Sequence, residues 1–227
     1  MSSIKSTIAV YVILVIGIVF ASAVKSEELR VINFPEEDVV LLTGDITQGT
    51  AQRLDDILLA NPAIKRVGMV SGGGLALEGF NIAEVLSNHD VTAVVPSGYT
   101  CLSACAIGFL GAKEYVVLGA LGFHNMYISQ ADMEGIPDLT LLITGQGYGV
   151  RTAVFFVANG FEVELPILVS IFTNPEVFLV FTSTEDLMQF FARSETDNVT
   201  EYLEGNSIDQ AWLDEHLWDT QRFIEYL

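Results

Sequence analysis

Tyr99-Thr-Cys-Leu-Ser-Ala-Cys-Ala-Ile-Gly-Phe109 sets one serine among small residues where an apolar strand turns into a helix. Upstream, Val91-Thr-Ala-Val-Val95 is a β-branched run of strand length, and Pro96-Ser-Gly98 ends it. Downstream, Ala104, Cys105, Ala106 and Gly108 are compact enough for a helix to sit close against its neighbours. A serine at such a junction lies at a helix N-terminus, where backbone N–H groups without intrahelical acceptors favour an anion. That is a useful place for an acyl-transfer nucleophile. The bland alternative is a serine that only caps the helix.

Working outward, Val39-Val-Leu-Leu42, Arg66-Val-Gly-Met-Val70 and Tyr115-Val-Val-Leu118 are further strands. Between them, residues 48–59 and the stretch from Leu75 carry helical periodicity, with Leu54, Ile57 and Leu58 on one stripe and Phe80, Ile82, Ala83 and Leu86 on another. Strands separated by single helices predict an α/β fold of repeated β-α units around a mainly parallel sheet. Beyond the serine, residues 128–140 read as a connecting loop with Gly135 and Pro137, and two apolar segments, 148–158 and 165–172, as buried helices. Residues 177–181 are a strand candidate. Thr182-Ser-Thr-Glu185 matches a capping box that opens a helix through Phe191. Residues 194–227 are acidic, with Trp212, Leu213, Leu217, Trp218 and Phe223 near helical spacing, and read as a peripheral helical extension.

Two further features bear on chemistry. Ser71-Gly-Gly-Gly74 follows a strand and opens a helix, yet lacks both a Gly-Lys-Ser/Thr ending and a clean Gly-x-Gly-x-x-Gly, which argues against a phosphate loop. It reads as a tight turn, or as a bare backbone N–H aimed at an oxyanion. Of the three histidines, only His124 follows a strand and a glycine-bearing turn; it is either a packed loop residue or a general base.

Composition narrows the rest. Ten Lys+Arg against 29 Asp+Glu give a formal charge of −19, which excludes a nucleic-acid phosphate partner on electrostatic grounds. Residues 1–23 carry Lys5, an apolar run and Ala21-Ser-Ala23, the pattern of a signal peptide. The expected location is periplasmic or secreted, with an uncleaved N-terminal membrane anchor as the alternative. Cys101 and Cys105 are able to join in an oxidising compartment if the turn permits. Two cysteines without companion ligands leave no zinc site; no metal and no cofactor are expected.

In this order the pieces resemble the ClpP/crotonase superfamily, particularly its exported ClpP-like serine peptidase relatives. The resemblance covers about residues 39–191. Val40-Leu-Leu-Thr-Gly-Asp-Ile46 is similar to the opening strand and turn, Val70-Ser-Gly-Gly-Gly74 to a Ser-Pro-Gly-Gly loop with Gly72 in place of proline, Cys101-Leu-Ser-Ala-Cys105 to the nucleophile segment and Gly122-Phe-His124 to the histidine segment. Thirty residues separate Gly73 from Ser103, and 21 separate Ser103 from His124, as that assignment expects.

The resemblance implies a ClpP-like domain over 24–193, a homo-oligomer and a peptide or protein substrate. It implies Ser103 as nucleophile, His124 as base, and the N–H groups of Gly73 and Ala104 as oxyanion hole. The place of the triad acid falls at or near Leu179, which cannot orient an imidazole. Glu176, Asp138 or a backbone carbonyl are the substitutes, and a Ser–His dyad is open. Two alternatives stand beside a serine hydrolase: a crotonase-like protein holding a thioester enolate, and a catalytically inactive scaffold or binding protein.

Overall fold

The apolar runs become neighbouring strands. In the computed structural model, which describes residues 30–34, 38–127, 137–162, 164–190 and 210–226, one sheet holds β1 (Arg30–Phe34), β2 (Val39–Thr43), β3 (Arg66–Val70), β4 (Thr92–Val95) and β6 (Glu114–Val117), in the order β1-β2-β3-β4-β6. β2, β3, β4 and β6 run parallel, and β1 is an antiparallel edge. Val40, Leu42, Val67, Met69, Ala93 and Val95 are fully buried, while the residues that alternate with them on β2 and β4 are half-buried. The connecting helices α1 (Thr50–Ala60) and α2 (Ala76–His89) bury Leu54 and Leu58, and Phe80, Ile82 and Leu86, respectively.

Of a second sheet only the strand at 177–181 was legible in the sequence. That sheet contains β5 (Thr100–Leu102), β7 (Ala120–Phe123), β8 (Val177–Phe181) and β9 (Leu217–Asp219), in that order. β5 pairs β7 in parallel, whereas β8 is antiparallel to both β7 and β9. β5 is only three residues long, too short for its alternation to be read, and β7 contains Gly122 and is buried at all four residues. The two sheets meet where Ser71 bridges to Cys101.

Between them lies α3 (Ala104–Phe109), every residue of which is buried. The next helix, α4 (Asp138–Ala158), starts ten residues before the apolar segment that announced it. Pro137 at its cap and Gly145, Gly147 and Gly149 within it read as loop signals; each glycine costs a helix only about 1 kcal/mol, which length and packing offset. α5 (Glu164–Phe172) matches its expected segment. For α6 (Thr184–Met188) the cap is Ser183, one residue beyond the expected Thr182: the Ser183 hydroxyl accepts from the Asp186 N–H at 3.1 Å.

The C-terminal residues depart from the purely helical expectation. α7 (Gln210–His216) and α8 (Thr220–Tyr226) flank β9, which extends the second sheet. Among the described residues no helix is long and apolar enough to cross a membrane. The expected leader at 1–23 lies outside the described residues.

Candidate active site

Ser103 stands between β5 and α3 with φ 56° and ψ −121°. A left-handed φ at a residue with a Cβ costs about 1 to 3 kcal/mol and persists only where the surroundings over-determine it. Those surroundings are identifiable. On the strand side, Ser71 N–H donates to the Thr100 carbonyl, Leu102 N–H to the Ser71 carbonyl and Ser103 N–H to the Gly122 carbonyl, at 2.9 to 3.0 Å. On the helix side, Ile107 N–H donates to the Ser103 carbonyl at 3.1 Å. A disulfide joins Cys101 to Cys105 with their Cα atoms 5.2 Å apart.

The capping explanation of Ser103 does not survive this geometry. The residue occupies the N-cap place, but its hydroxyl makes no capping hydrogen bond, and its backbone is outside the extended region that caps adopt. Its side chain instead lines a cleft of about 250 Å³ that also contains His124.

The glycine loop closes on the serine from the other side. Gly73 has φ +108°, and a Cβ there would sit 2.7 Å from Ser103 Cβ and 2.8 Å from the Leu102 carbonyl oxygen. Gly74, at φ +142°, would place a Cβ 2.1 Å from the Ile46 carbonyl oxygen. Glycine is therefore required twice in succession for the loop to thread between the β2 turn and Ser103. The Gly73 N–H donates to Ser71 Oγ at 3.0 Å, while that hydroxyl donates to the Gly44 carbonyl at 2.6 Å. Ala104 opens α3, so its N–H has no intrahelical acceptor.

His124 follows β7. Phe123 anchors the strand end among Phe156 and Phe181, at centroid distances of 5.4 and 6.1 Å. The His124 ring then meets Phe178 edge to face at 4.6 Å. Its Nδ1 donates to the Asn125 carbonyl at 2.7 Å; because a carbonyl only accepts, Nε2 keeps the lone pair that a base needs. Burial lowers the His124 pKa from 6.5, and the Asn125 carbonyl partly opposes that shift.

The sequence did not single out the residues that hold this carbonyl. Asn125 N–H donates to Thr173 Oγ1 at 2.8 Å, its side-chain amide to the Ser170 carbonyl at 3.1 Å, and the Thr173 hydroxyl to the Val169 carbonyl at 2.5 Å. The end of α5 thus fixes the group that fixes the imidazole. The C-terminal residues contribute as well, since Trp218 pairs with Phe178 across the β8–β9 ladder and Phe223 lies 5.4 Å from the Phe178 ring. A polar Asn directly after the histidine was the one local signal.

Among the described residues no carboxylate is hydrogen-bonded to His124. Leu179, at the expected acid place, pairs with Phe123 across the sheet and is fully buried. Glu176 is exposed and its backbone N–H is bonded to Asn174 Oδ1. Asp138 is the first residue of α4. Around the cleft, α3 contributes Ile107, α4 contributes Gly149, Thr152 and Phe156, and α5 contributes Pro166 and Ile167. Among the described residues that line the cleft, His124 is the only ionisable group besides the Ser103 hydroxyl. Among the described residues no cluster of His, Cys, Asp or Glu could hold a metal ion.

No protein-family model matches the sequence. No curated protein matches it. Among solved structures, a ClpP1 point mutant from Listeria monocytogenes aligns at 15% identity over 69% of this chain and 89% of its own, with a TM-score of 0.49. This chain's own geometry, not that likeness, carries the functional reading.

Proposed function

We propose that the protein is a serine hydrolase, with peptides as its substrate class, working through Ser103 and His124 with the Asn125 carbonyl on the imidazole Nδ1. The observation that carries this reading is the left-handed backbone of Ser103 at a strand-to-helix junction, with no capping bond to explain it. Ser103 Oγ attacks the substrate carbonyl while His124 Nε2 takes its proton, and the proton then passes to the leaving group as the acyl-enzyme forms. The Asn125 carbonyl holds Nδ1–H through the cycle. The Ala104 N–H receives the oxyanion, and the Gly73 N–H joins it on exchanging Ser71 Oγ for the substrate oxygen.

The described cleft walls favour neutral, apolar substrate groups, since among those residues a charged one would be desolvated with no ionisable partner but His124. The disulfide supports an oxidising compartment, in line with an exported protein, whether released or held by its N-terminus. A silent binding protein is the second reading, favoured by Leu179 at the expected place of the acid and by the internal partner of the Gly73 N–H.

An apolar p-nitrophenyl ester separates the two. A burst of nitrophenol stoichiometric with enzyme, absent from Ser103→Ala, is the expected result. Binding without turnover, equal in both proteins, would leave the silent reading.

A further inference from the structure

We propose that the Cys101–Cys105 disulfide is a positioning element, holding Ser103 in its reactive backbone conformation; this rests on the hydrolase reading. The two cysteines lie two residues to either side of the serine, one on β5 and one in the first turn of α3, and both are fully buried. Strand hydrogen bonds end at the Ser103 N–H, and helix hydrogen bonds begin at its carbonyl. The change of course between them falls on the serine's own φ and ψ. A covalent tie from the residue before this change to the residue after it limits how far those angles relax.

The short span argues for a local role. Disulfides stabilise a fold through the unfolded chain more strongly the longer the loop they close, and a sequence separation of 4 is near the bottom of that range. What such a bond constrains best is the conformation of the three residues inside it, with Ser103 in the middle. Reduction, which takes two electrons and two protons from a dithiol and leaves two buried thiols, removes the constraint without adding charge.

The test compares wild type, the Cys101→Ala/Cys105→Ala variant, and wild type folded in a dithiol reductant. The readouts are the rate of fluorophosphonate labelling and amide hydrogen exchange. The expected result is labelling slowed at least tenfold in both disulfide-free proteins and faster exchange at the Ser103 amide, with β2, β3 and β4 still protected. Labelling at the wild-type rate with unchanged Ser103 exchange overturns the proposal. So does loss of protection throughout the sheets, which would assign the bond to global stability. If the double variant does not fold, reduced wild type decides. Should oxidised wild type itself fail to label, the hydrolase reading falls, and Ser103 exchange still judges the brace.

Discussion

Ser103 is fixed by backbone hydrogen bonds on both sides, by a disulfide across it and by a glycine packed against its Cβ, whereas His124 is fixed by one neighbouring carbonyl and an aromatic edge. The supports differ in kind as well as number. Those of the serine add a covalent tie and a steric contact to backbone hydrogen bonds; those of the histidine are neutral and adjustable, and they run through Asn125 to Thr173 on another element. A carboxylate beside an imidazole orients it and raises its basicity, whereas the neutral Asn125 carbonyl orients it and only partly offsets the lowering by burial. The account therefore describes a well-set nucleophile served by a weak base.

The largest effects should come from the pair itself. Ser103→Ala and His124→Ala should each lower ester hydrolysis about a thousandfold or more, and the double variant should be no worse than either, because members of one catalytic unit are strongly non-additive. Additive losses would separate the two residues into independent sites.

Next comes Gly73→Ala. Its methyl would meet Ser103 Cβ at 2.7 Å and the Leu102 carbonyl at 2.8 Å, so it displaces the nucleophile and its strand together. The expected outcome is a rate loss of about a hundredfold with a stability loss of about 1 to 3 kcal/mol by denaturant titration. Unchanged kinetics would show that the serine needs no such tight setting.

On the histidine side the effects should be smaller. Thr173→Val removes the acceptor of the Asn125 N–H, a hydrogen bond worth about 1 kcal/mol, and should lower kcat about fivefold with KM little changed. Glu176→Gln should stay within about twofold, since no hydrogen bond joins Glu176 to His124 among the described residues. A large effect there would reinstate a carboxylate.

The pH profile sharpens the contrast. Burial holds the folded-state pKa of His124 below 6.5, so the neutral base survives into more acid solution, and the acid limb of kcat/KM should have its midpoint below 6.5. A carboxylate partner would move that limb above 6.5. The linked stability has the same sign: above 6.5 the imidazole is neutral folded or unfolded, and as the pH falls from 6.5 through the folded-state pKa the unfolded chain takes up the proton first, so stability is lost.

The serine half was also the more legible in sequence. Its β-branched strands, glycine triplet and small-residue helix are local patterns, and each became the element it implied. β5 was hidden because three residues are too few to show a period, and β7 because all four of its residues are buried. The start of α4 was hidden because its glycines and Pro137 imitate a loop. On the histidine side the sequence showed Leu179 at the expected place of the acid, and the structure pairs that residue with Phe123 in the core. What orients the imidazole was not legible: Asn125 meets Thr173 across a separation of 48 residues, and Phe178 reaches the imidazole only through the pairing of β7 with β8.

Mass-spectrometric mapping of a fluorophosphonate adduct tests the central claim most directly. Ser103 Oγ should form a bond to phosphorus as the phosphorus–fluorine bond breaks, fluoride leaving and the serine proton passing to His124. The account predicts one adduct, on the peptide containing Ser103, absent from Ser103→Ala and nearly absent from His124→Ala. An adduct on any other residue, or labelling of Ser103 undiminished in His124→Ala, would contradict it.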